Sequence, residues 1–292
     1  MINNKMRIYL FKPKYYPLIT SYTAKYLLES KNRKTSISLD LGLTNTEVII
    51  DNDHIHFPNF QTLNKNDLKK IINRTTEIYM ITNNKLVKIA WFENDAYLKL
   101  RNISHNTAPT LEINGIHMHR IKDTTPWKDS KSKVMSILPL KNKTVLDICT
   151  GLGYTAIHAL NFGASKIITI EKNHAVLKIA EYNPWSWKLA SKKITIILDD
   201  AKNAINYLKD EYFDRIIHDP PRMKLAGELY SEEFYRELYR VLKPGGIIFH
   251  YTGAPGEKRG INLIKGVSER LKSVGFVIKK MYEVQGVLGI KK

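Results

Sequence analysis

TVLDICTGLGYTAI at residues 144–157, IITIEKN at 167–173, IILDDA at 196–201 and FDRIIHDPPR at 213–222 decide the fold of this chain. Each piece is a short apolar run that stops at or near an acidic residue. Buried parallel strands read this way when their carboxyl ends build a ligand crevice. In the first piece, residues 144–148 read as a strand, 149–153 as a turn with two glycines, and 155–160 as the start of a helix. Glycine lets a backbone approach a ligand closely, and a helix start presents open N–H groups to polar or anionic ligand atoms.

The remaining pieces place acids at the tips of the strands that follow. Glu171 ends the second strand about 20 residues after the glycine turn, where an acid can bind ribose hydroxyls in dinucleotide-binding folds. Asp200 ends the third strand, in reach of an adenine amine, and Asp219-Pro220-Pro221 ends the fourth. The turn GLG lacks the third glycine of GxGxxG, which disfavours a nicotinamide cofactor.

From residue 133 to the end, the chain resembles the class I S-adenosylmethionine-dependent methyltransferases. The likeness is strongest to an archaeal methyltransferase group, through CTGLGYTAI, HDPPR and AGELYSEEFYRELYRVLKPGG at residues 226–246. The resemblance implies a Rossmann-like α/β fold with a seven-stranded sheet and S-adenosylmethionine as cofactor. It implies that Asp147, Gly151 and Gly153 flank the methionine moiety, that Glu171 holds the ribose, and that Asp200 with Ala201 holds the adenine. Thr150, Tyr154, Thr155, Lys172 and Asp219 complete the expected cofactor set.

Composition bounds the rest. The 292 residues suffice for one large domain or two ordinary ones. No apolar run approaches the ~18 residues of a membrane span, and the opening MINNKMRIYLFKPKYYPL lacks a signal-peptide pattern. A single cysteine, Cys149, rules out an intrachain disulfide and suggests a reducing cytoplasm. The net charge is +18. Residues 1–140 hold 21 basic and 12 acidic side chains and residues 141–292 hold 25 and 16, so each half contributes +9. Such an excess suits a polyanion such as RNA. A chain rich in Lys, Ile and Asn throughout can also owe it to its host.

Residues 1–125 read as an α+β accessory domain and 126–292 as the methyltransferase domain. In the first, 22–29 and 66–73 are expected helices. Expected strands are 37–41, 47–50, 54–57, 77–82, 86–91 and 97–100, with a hairpin at 111–118 turning on Asn114-Gly115. This domain carries no chemical motif. It either holds a large substrate, completes the core or makes an oligomer. Lys12, Lys14, Lys31, Arg33, Lys34, Lys69 and Lys70 are candidate RNA contacts, with Tyr15 and Tyr16 as stacking or core residues. Pro126-Trp127 is expected to be a tight turn before a helix at 131–138, with Trp127 over the cofactor or merely packed.

After the glycine turn, helices are expected at 174–181, 201–208, 232–242 and 266–274. Lys243-Pro244-Gly245-Gly246 is expected to turn into a fifth strand at 246–251, and 276–282 with 284–290 to close the sheet as an antiparallel pair. Trp185 and Trp187 are expected to cover apolar surface.

Methyl transfer from a sulfonium requires mainly alignment. An exocyclic amine acceptor is helped by groups that accept its N–H hydrogens. Asp219 and the Pro220 carbonyl fit that catalytic role, as in enzymes carrying (D/N)PP(Y/F). Here Arg222 replaces the stacking aromatic, and it is expected to meet the substrate by stacking its guanidinium plane or by binding phosphate. Aromatic stacking falls to Tyr230, Phe234, Tyr235 or Tyr251, and a ring-atom acceptor stays open. Covalent C5-pyrimidine chemistry needs a cysteine over the base, and Cys149 lies in the cofactor turn. His218 and His250 read as strand-end hydrogen bonders, and His117 with His119 lacks partners for a metal, so no metal is expected. The leading expectation is methylation of a base nitrogen of tRNA or rRNA. The alternatives are an aminopropyltransferase using decarboxylated S-adenosylmethionine, a small-molecule methyltransferase, and an RNA-binding module with a relic cofactor site.

Overall fold

The computed structural model describes residues 6–93, 95–253 and 263–292. The chain divides into two compact units. One takes the residues up to Phe11 with Lys128–His174 and Lys188–Lys292, and the other takes Lys12–Trp127 with Ala175–Trp187. The units thus divide beside the expected junction at 125/126, but each also takes a segment from the far side of it.

The first unit is built on an eight-stranded sheet. Its strands are β1 (Ile8–Tyr9), β2 (Thr144–Ile148), β3 (Lys166–Glu171), β4 (Ile194–Leu198), β5 (Phe213–His218), β6 (Leu242–Tyr251), β7 (Phe276–Met281) and β8 (Gly286–Lys291). Their order across the sheet is β1-β4-β3-β2-β5-β6-β8-β7. The seven expected strands are all present, and an eighth is added because Ile8 and Tyr9 pair antiparallel with Ile197 and Ile196 on the edge of β4. β2, β3, β4, β5 and β6 run parallel, and β8 pairs antiparallel with both β6 and β7.

β2 lies between β3 and β5, so the winding reverses at this point and opens a crevice beyond the strand ends. Register aligns those ends, with Asp147 opposite both Thr169 and Ile217, and Ile148 opposite both Ile170 and His218. β2 to β5 are buried on both faces, as parallel strands covered by helices must be, and their apolar side chains join one core with Leu146, Ile168, Ile197, Phe213 and Ile216.

The helices of this unit are α1 (Pro126–Met135, of which Pro126 and Trp127 fall in the other unit), α2 (Tyr154–Asn161), α3 (Ala201–Ala204), α4 (Glu232–Val241) and α5 (Leu263–Val274). α4 shows why the sequence folds so. Ser231 caps it, with Oγ accepting from the Phe234 N–H at 3.1 Å. Glu232 and Glu233 sit in the first turn, where the helix dipole favours acids. Phe234, Tyr235, Leu238 and Val241 form the buried stripe. Three expectations are corrected here. Pro126-Trp127 is the first turn of α1 rather than a turn before it, because proline is pre-set for a helix start. The expected helix at 201–208 breaks into α3 and a 3-10 turn, Ile205–Tyr207. The expected turn at 243–246 runs within β6, with a register shift against β5 and a left-handed φ of 71° at Gly245.

The second unit holds three small antiparallel sheets. They are Lys34–Ile37, Thr46–Ile50, His54–His56 and Thr62–Asn64; Leu18–Thr20, Ile78–Thr82 and Lys85–Lys88; and Ala90–Glu93, Ala96–Arg101, Thr110–Ile113 and Ile116–His117. Helix Ser21–Glu29 covers a core containing Ile19, Leu27, Val48, Ile55 and Leu68. The hairpin turn at Asn114 and Gly115 has φ of 47° and 79°, as a type I′ turn requires. The strand expected at 37–41 forms earlier. Beyond Ile37 the Ser38 hydroxyl takes the Gly42 N–H, the Asp40 carboxylate takes those of Leu43 and Thr44, and Leu41 turns left-handed at φ 60°. The helix expected at 66–73 is shorter, Lys65–Lys69, with Asn64 as its cap. The strand expected at 86–91 splits at Ile89 between Lys85–Lys88 and Ala90–Glu93.

Candidate functional site

The site grows from the end of β2. Cys149, Gly151 and Gly153 all have left-handed φ, at 71°, 54° and 76°. The Cys149 and Thr150 N–H groups both donate to the Ile170 carbonyl at 3.0 Å, which ties the turn to β3. A methyl group added at Gly151 would meet nothing within 4 Å, whereas one at Gly153 would meet the Leu189 side chain at 2.5 Å. Gly151 is therefore open to a ligand, and Gly153 is required by packing. α2 starts at Tyr154 with Gly153 as cap, which offers no side-chain oxygen to the first amides. Tyr154 and Thr155 are buried in that first turn.

Glu171, at the end of β3, clamps the turn. One carboxylate oxygen accepts from the Gly151 N–H at 2.9 Å and the other from the Asn173 N–H at 3.0 Å. Burial raises its pKa, and these two N–H groups oppose the rise.

Asp147 is wholly buried beneath the turn. Its Oδ2 accepts from the Thr169 hydroxyl at 2.7 Å, and Thr169 also contacts the Thr150 hydroxyl at 2.6 Å. Burial pushes the Asp147 carboxyl up to about 7, and the negative charges of Asp219 and Glu171 add to it. The Thr169 and Thr155 hydroxyls favour its charged form, yet Oδ1 has no hydrogen-bond partner of ordinary geometry among the described residues. Burial, then Glu171, Asp219 and Asp147, also raise the Cys149 thiol. Asp147 and Glu171 thus place two buried carboxyl groups on the floor of the crevice.

Asp200 caps α3, its Oδ1 accepting from the Lys202 N–H at 2.9 Å. Ala201 follows it, buried, as the first residue of α3. Lys172 is half-exposed, and its ammonium stands 3.9 Å from both Asp200 and Glu228.

Asp219 follows β5, and Pro220 beside it is buried. Both Asp219 oxygens accept from the Lys133 ammonium, at 3.0 and 2.8 Å. That ammonium is 3.0 Å from Asp129 Oδ2 and 3.6 Å from the centroid of the Tyr251 ring. Lys133 is 2% exposed. Burial opposes its charge, but the carboxylates of Asp219 and Asp129 hold its pKa above the ordinary lysine value. Lys133 was not among the expected site residues. The available signal was the i,i+4 spacing of Asp129 and Lys133, which reads as a surface pair.

Three of the expected stacking residues are packed into the core. Tyr230, Phe234 and Tyr235 are 2%, 3% and 0% exposed and belong to the core, so they present no open ring face. The Tyr230 hydroxyl donates to the Pro221 carbonyl at 2.9 Å, and the Tyr235 hydroxyl meets His250 Nε2 at 2.8 Å. His218 Nε2 donates to the Leu229 carbonyl at 2.9 Å. Burial drives the His218 pKa down to about 4 and that of His250 well below its ordinary value, so both are neutral hydrogen bonders. Tyr251 carries Lys133 on its ring, and Arg222 is exposed.

In the other unit, Trp127 packs edge-on to Trp185 at 5.0 Å, and Trp185 donates to the Leu41 carbonyl at 3.2 Å. Tyr15, though 70% exposed, packs edge-on to Trp187, and Tyr16 stacks on Tyr182. Lys34 pairs with Glu47 and Lys70 with Asp67. His119 meets the Thr110 hydroxyl at 2.9 Å, and His117 lies 3.4 Å from Glu112. Among the described residues no helix is long and apolar enough to cross a membrane.

An uncharacterized protein of Methanocaldococcus jannaschii is 47% identical, with 94% of this chain and 95% of that one covered. A polyamine aminopropyltransferase of Clostridioides difficile is 28% identical over 59% of this chain, which spans 62% of that protein's length. A second M. jannaschii protein, named provisionally as a protein N5-glutamine methyltransferase, is 26% identical over 58% of this chain and 89% of its own. Among solved structures, a spermidine synthase bound to a transition-state analogue matches with a TM-score of 0.56 at 21% identity, covering 70% of this chain and 73% of that one, which shows a shared fold. That fold is the one in which methyltransferases bind S-adenosylmethionine and aminopropyltransferases its decarboxylated form. The family described as conserved hypothetical protein 95 matches residues 110–268, and the chain belongs to that family, which is class I methyltransferase-like.

Proposed function

We propose that this protein transfers the methyl group of S-adenosylmethionine to a nitrogen of an RNA base, in tRNA or rRNA. The observation that carries the reading is the acidic floor at the carboxyl ends of β2 and β3, where Asp147 is buried beneath the glycine turn and Glu171 accepts the Gly151 amide. Such a floor favours a cationic ligand, and S-adenosylmethionine carries a sulfonium and an ammonium. The residues fit that ligand. Asp147 keeps an unpartnered buried oxygen, and the turn is open beside Gly151. The cofactor, when bound, supplies an activated methyl group.

The chain's own residues hold and align. Each Glu171 oxygen accepts one backbone N–H and keeps a lone pair for a ribose hydroxyl. Asp200 and Ala201 stand where the adenine is expected. The Pro220 carbonyl and the remaining Asp219 lone pairs accept N–H hydrogens of the acceptor, which turns its nitrogen lone pair toward the donor. Pro220 and Pro221 stiffen the turn that aims them.

RNA as substrate is supported by the net charge of +18. It is also supported by an open cavity of about 710 Å³ lined by Lys31, Arg33, Lys65 and His54, together with Asp51 and Asp53. The DPPR turn and the M. jannaschii relative support the archaeal group, and the single cysteine supports a cytoplasmic setting. Aminopropyl transfer is the second reading, favoured by the C. difficile relative. To separate the two, the protein is incubated with methyl-labelled S-adenosylmethionine and RNA from a strain lacking the gene, and the label is mapped by nucleoside mass spectrometry. A parallel reaction uses decarboxylated S-adenosylmethionine and putrescine. Label in a methylated base supports our reading, and spermidine alone would replace it with the second.

A further inference from the structure

The surroundings of Lys133 have a chemistry of their own. An alkylammonium has three N–H donors, and three carboxylate oxygens lie within 3.0 Å of this one, two on Asp219 and one on Asp129. An aromatic face, Tyr251, lies against it at 3.6 Å. Two carboxylates and a ring around a desolvated cation make up an ammonium cage. Proteins use such cages to recognise amine ligands. Here the occupant is a side chain of α1, and the cage stands at Asp219, beside the reacting end of the crevice.

We propose that Lys133 fills an ammonium site from within the chain and so excludes amine cations from Asp219, leaving it to neutral acceptors. The inference rests on the reading of Asp219 as the acid on the acceptor side. A polyamine offered to this site would have to displace a lysine whose ammonium already donates to both Asp219 oxygens, pairs with Asp129 and rests on the Tyr251 ring. A neutral acceptor needs no such displacement, because each Asp219 oxygen gives Lys133 one contact and keeps a lone pair. Lys133 is thus a specificity-determining residue. It neutralises and orients Asp219 without touching the transferred group, and its hold on the Asp219 and Asp129 carboxylates separates this end of the crevice from one built for a cationic amine.

The test is chemical occupation of the vacated cage. Lys133→Ala removes three carbons and the ammonium, a volume that n-propylammonium replaces. The full-length wild type, Lys133→Ala and Lys133→Met are titrated by calorimetry with n-propylammonium chloride and with putrescine, against matched sodium chloride. Thermal midpoints are followed in the same solutions. Lys133→Ala is expected to bind both amines at least about tenfold more tightly than wild type and to be stabilised saturably by them. Lys133→Met fills the space with an uncharged chain and should bind neither. Should Lys133→Ala not fold, Lys133→Ala/Asp129→Asn leaves one carboxylate and is expected to give the same ranking. Putrescine binding to wild type as tightly as to the alanine variant would overturn the proposal, as would a folded alanine variant indifferent to both amines. S-Adenosylmethionine is titrated into the same samples. A wild type that ignores it refutes the functional reading while leaving the cage intact.

Discussion

Gly151 and Gly153 stand two residues apart in one turn with similar left-handed φ, and alanine at each should have opposite consequences. At Gly151, with φ 54°, an added methyl meets nothing within 4 Å. The cost to folding is the left-handed strain alone, about 1 kcal/mol, or roughly 2–4 °C of melting temperature for a unit of this size. At Gly153, with φ 76°, the same methyl would stand 2.5–2.7 Å from three atoms of the buried Leu189 side chain. Strain and overpacking together come to about 2–4 kcal/mol, or roughly 4–16 °C. The ranking for cofactor affinity reverses. The methyl of Gly151→Ala occupies open space beside the amide that Glu171 holds, and we expect at least about a tenfold weaker Kd for S-adenosylmethionine, equivalent to about 1.4 kcal/mol. Differential scanning fluorimetry gives the stabilities and isothermal calorimetry at low temperature the affinities. If Gly151→Ala binds as wild type does, or if the two variants melt together, the open space is not the cofactor's.

Other outcomes follow from the buried charges. Lys133→Met strands two carboxylates and should cost about 3–5 kcal/mol at neutral pH. The wild-type pair contributes its stability below the ordinary lysine pKa of 10.5 and loses it only as pH rises beyond that. Urea titrations should show the variant's deficit shrinking as pH falls toward about 4, where carboxylates protonate. Asp147, raised from 3.8 to about 7, holds a proton in the folded state across that range. Its contribution therefore falls as pH rises from about 4 to about 7, while affinity for a cationic cofactor grows. Asp147→Asn should flatten both curves when melting and binding are followed from pH 4 to 8. His218 should show no proton NMR titration between about pH 8 and 5.5, because its pKa is lowered from 6.5 to about 4 and the stability tied to its neutral form is lost only as pH falls through that window.

The sequence made the sheet legible where each strand carried its own signal. Thr144–Ile148, Lys166–Glu171, Ile194–Leu198 and Phe213–His218 are apolar runs closed by turn residues, and all form within two residues of expectation. Asn114-Gly115 could be read as a turn because it acts through local geometry. What escaped depends on contacts far apart in the chain. Ile8–Tyr9 is two residues long and exists as a strand only through its pairing with β4. The aromatics of α4 alternate with charged residues and suggest a stacking surface, but Phe234 and Tyr235 form its buried stripe against β5 and β6. Lys133 escaped because its meaning lies 86 residues away, at Asp219. Starting α1 at Pro126 rather than at residue 131 gives Asp129 and Lys133 a shared helix face, and that face is buried.

The measurement closest to the central claim is calorimetric titration of S-adenosylmethionine into wild type, Glu171→Ala and Asp219→Ala at pH 7.5. Glu171 is expected to hold the ribose and also accepts the Gly151 amide of the turn and the Asn173 amide, so its removal should weaken binding by about 1.5–3 kcal/mol. Asp219 serves the acceptor, so its removal should leave affinity within about threefold of wild type while abolishing most methyl transfer in single turnover. Unchanged affinity in Glu171→Ala would place the cofactor elsewhere. Transfer undiminished in Asp219→Ala would remove that residue from the acceptor site.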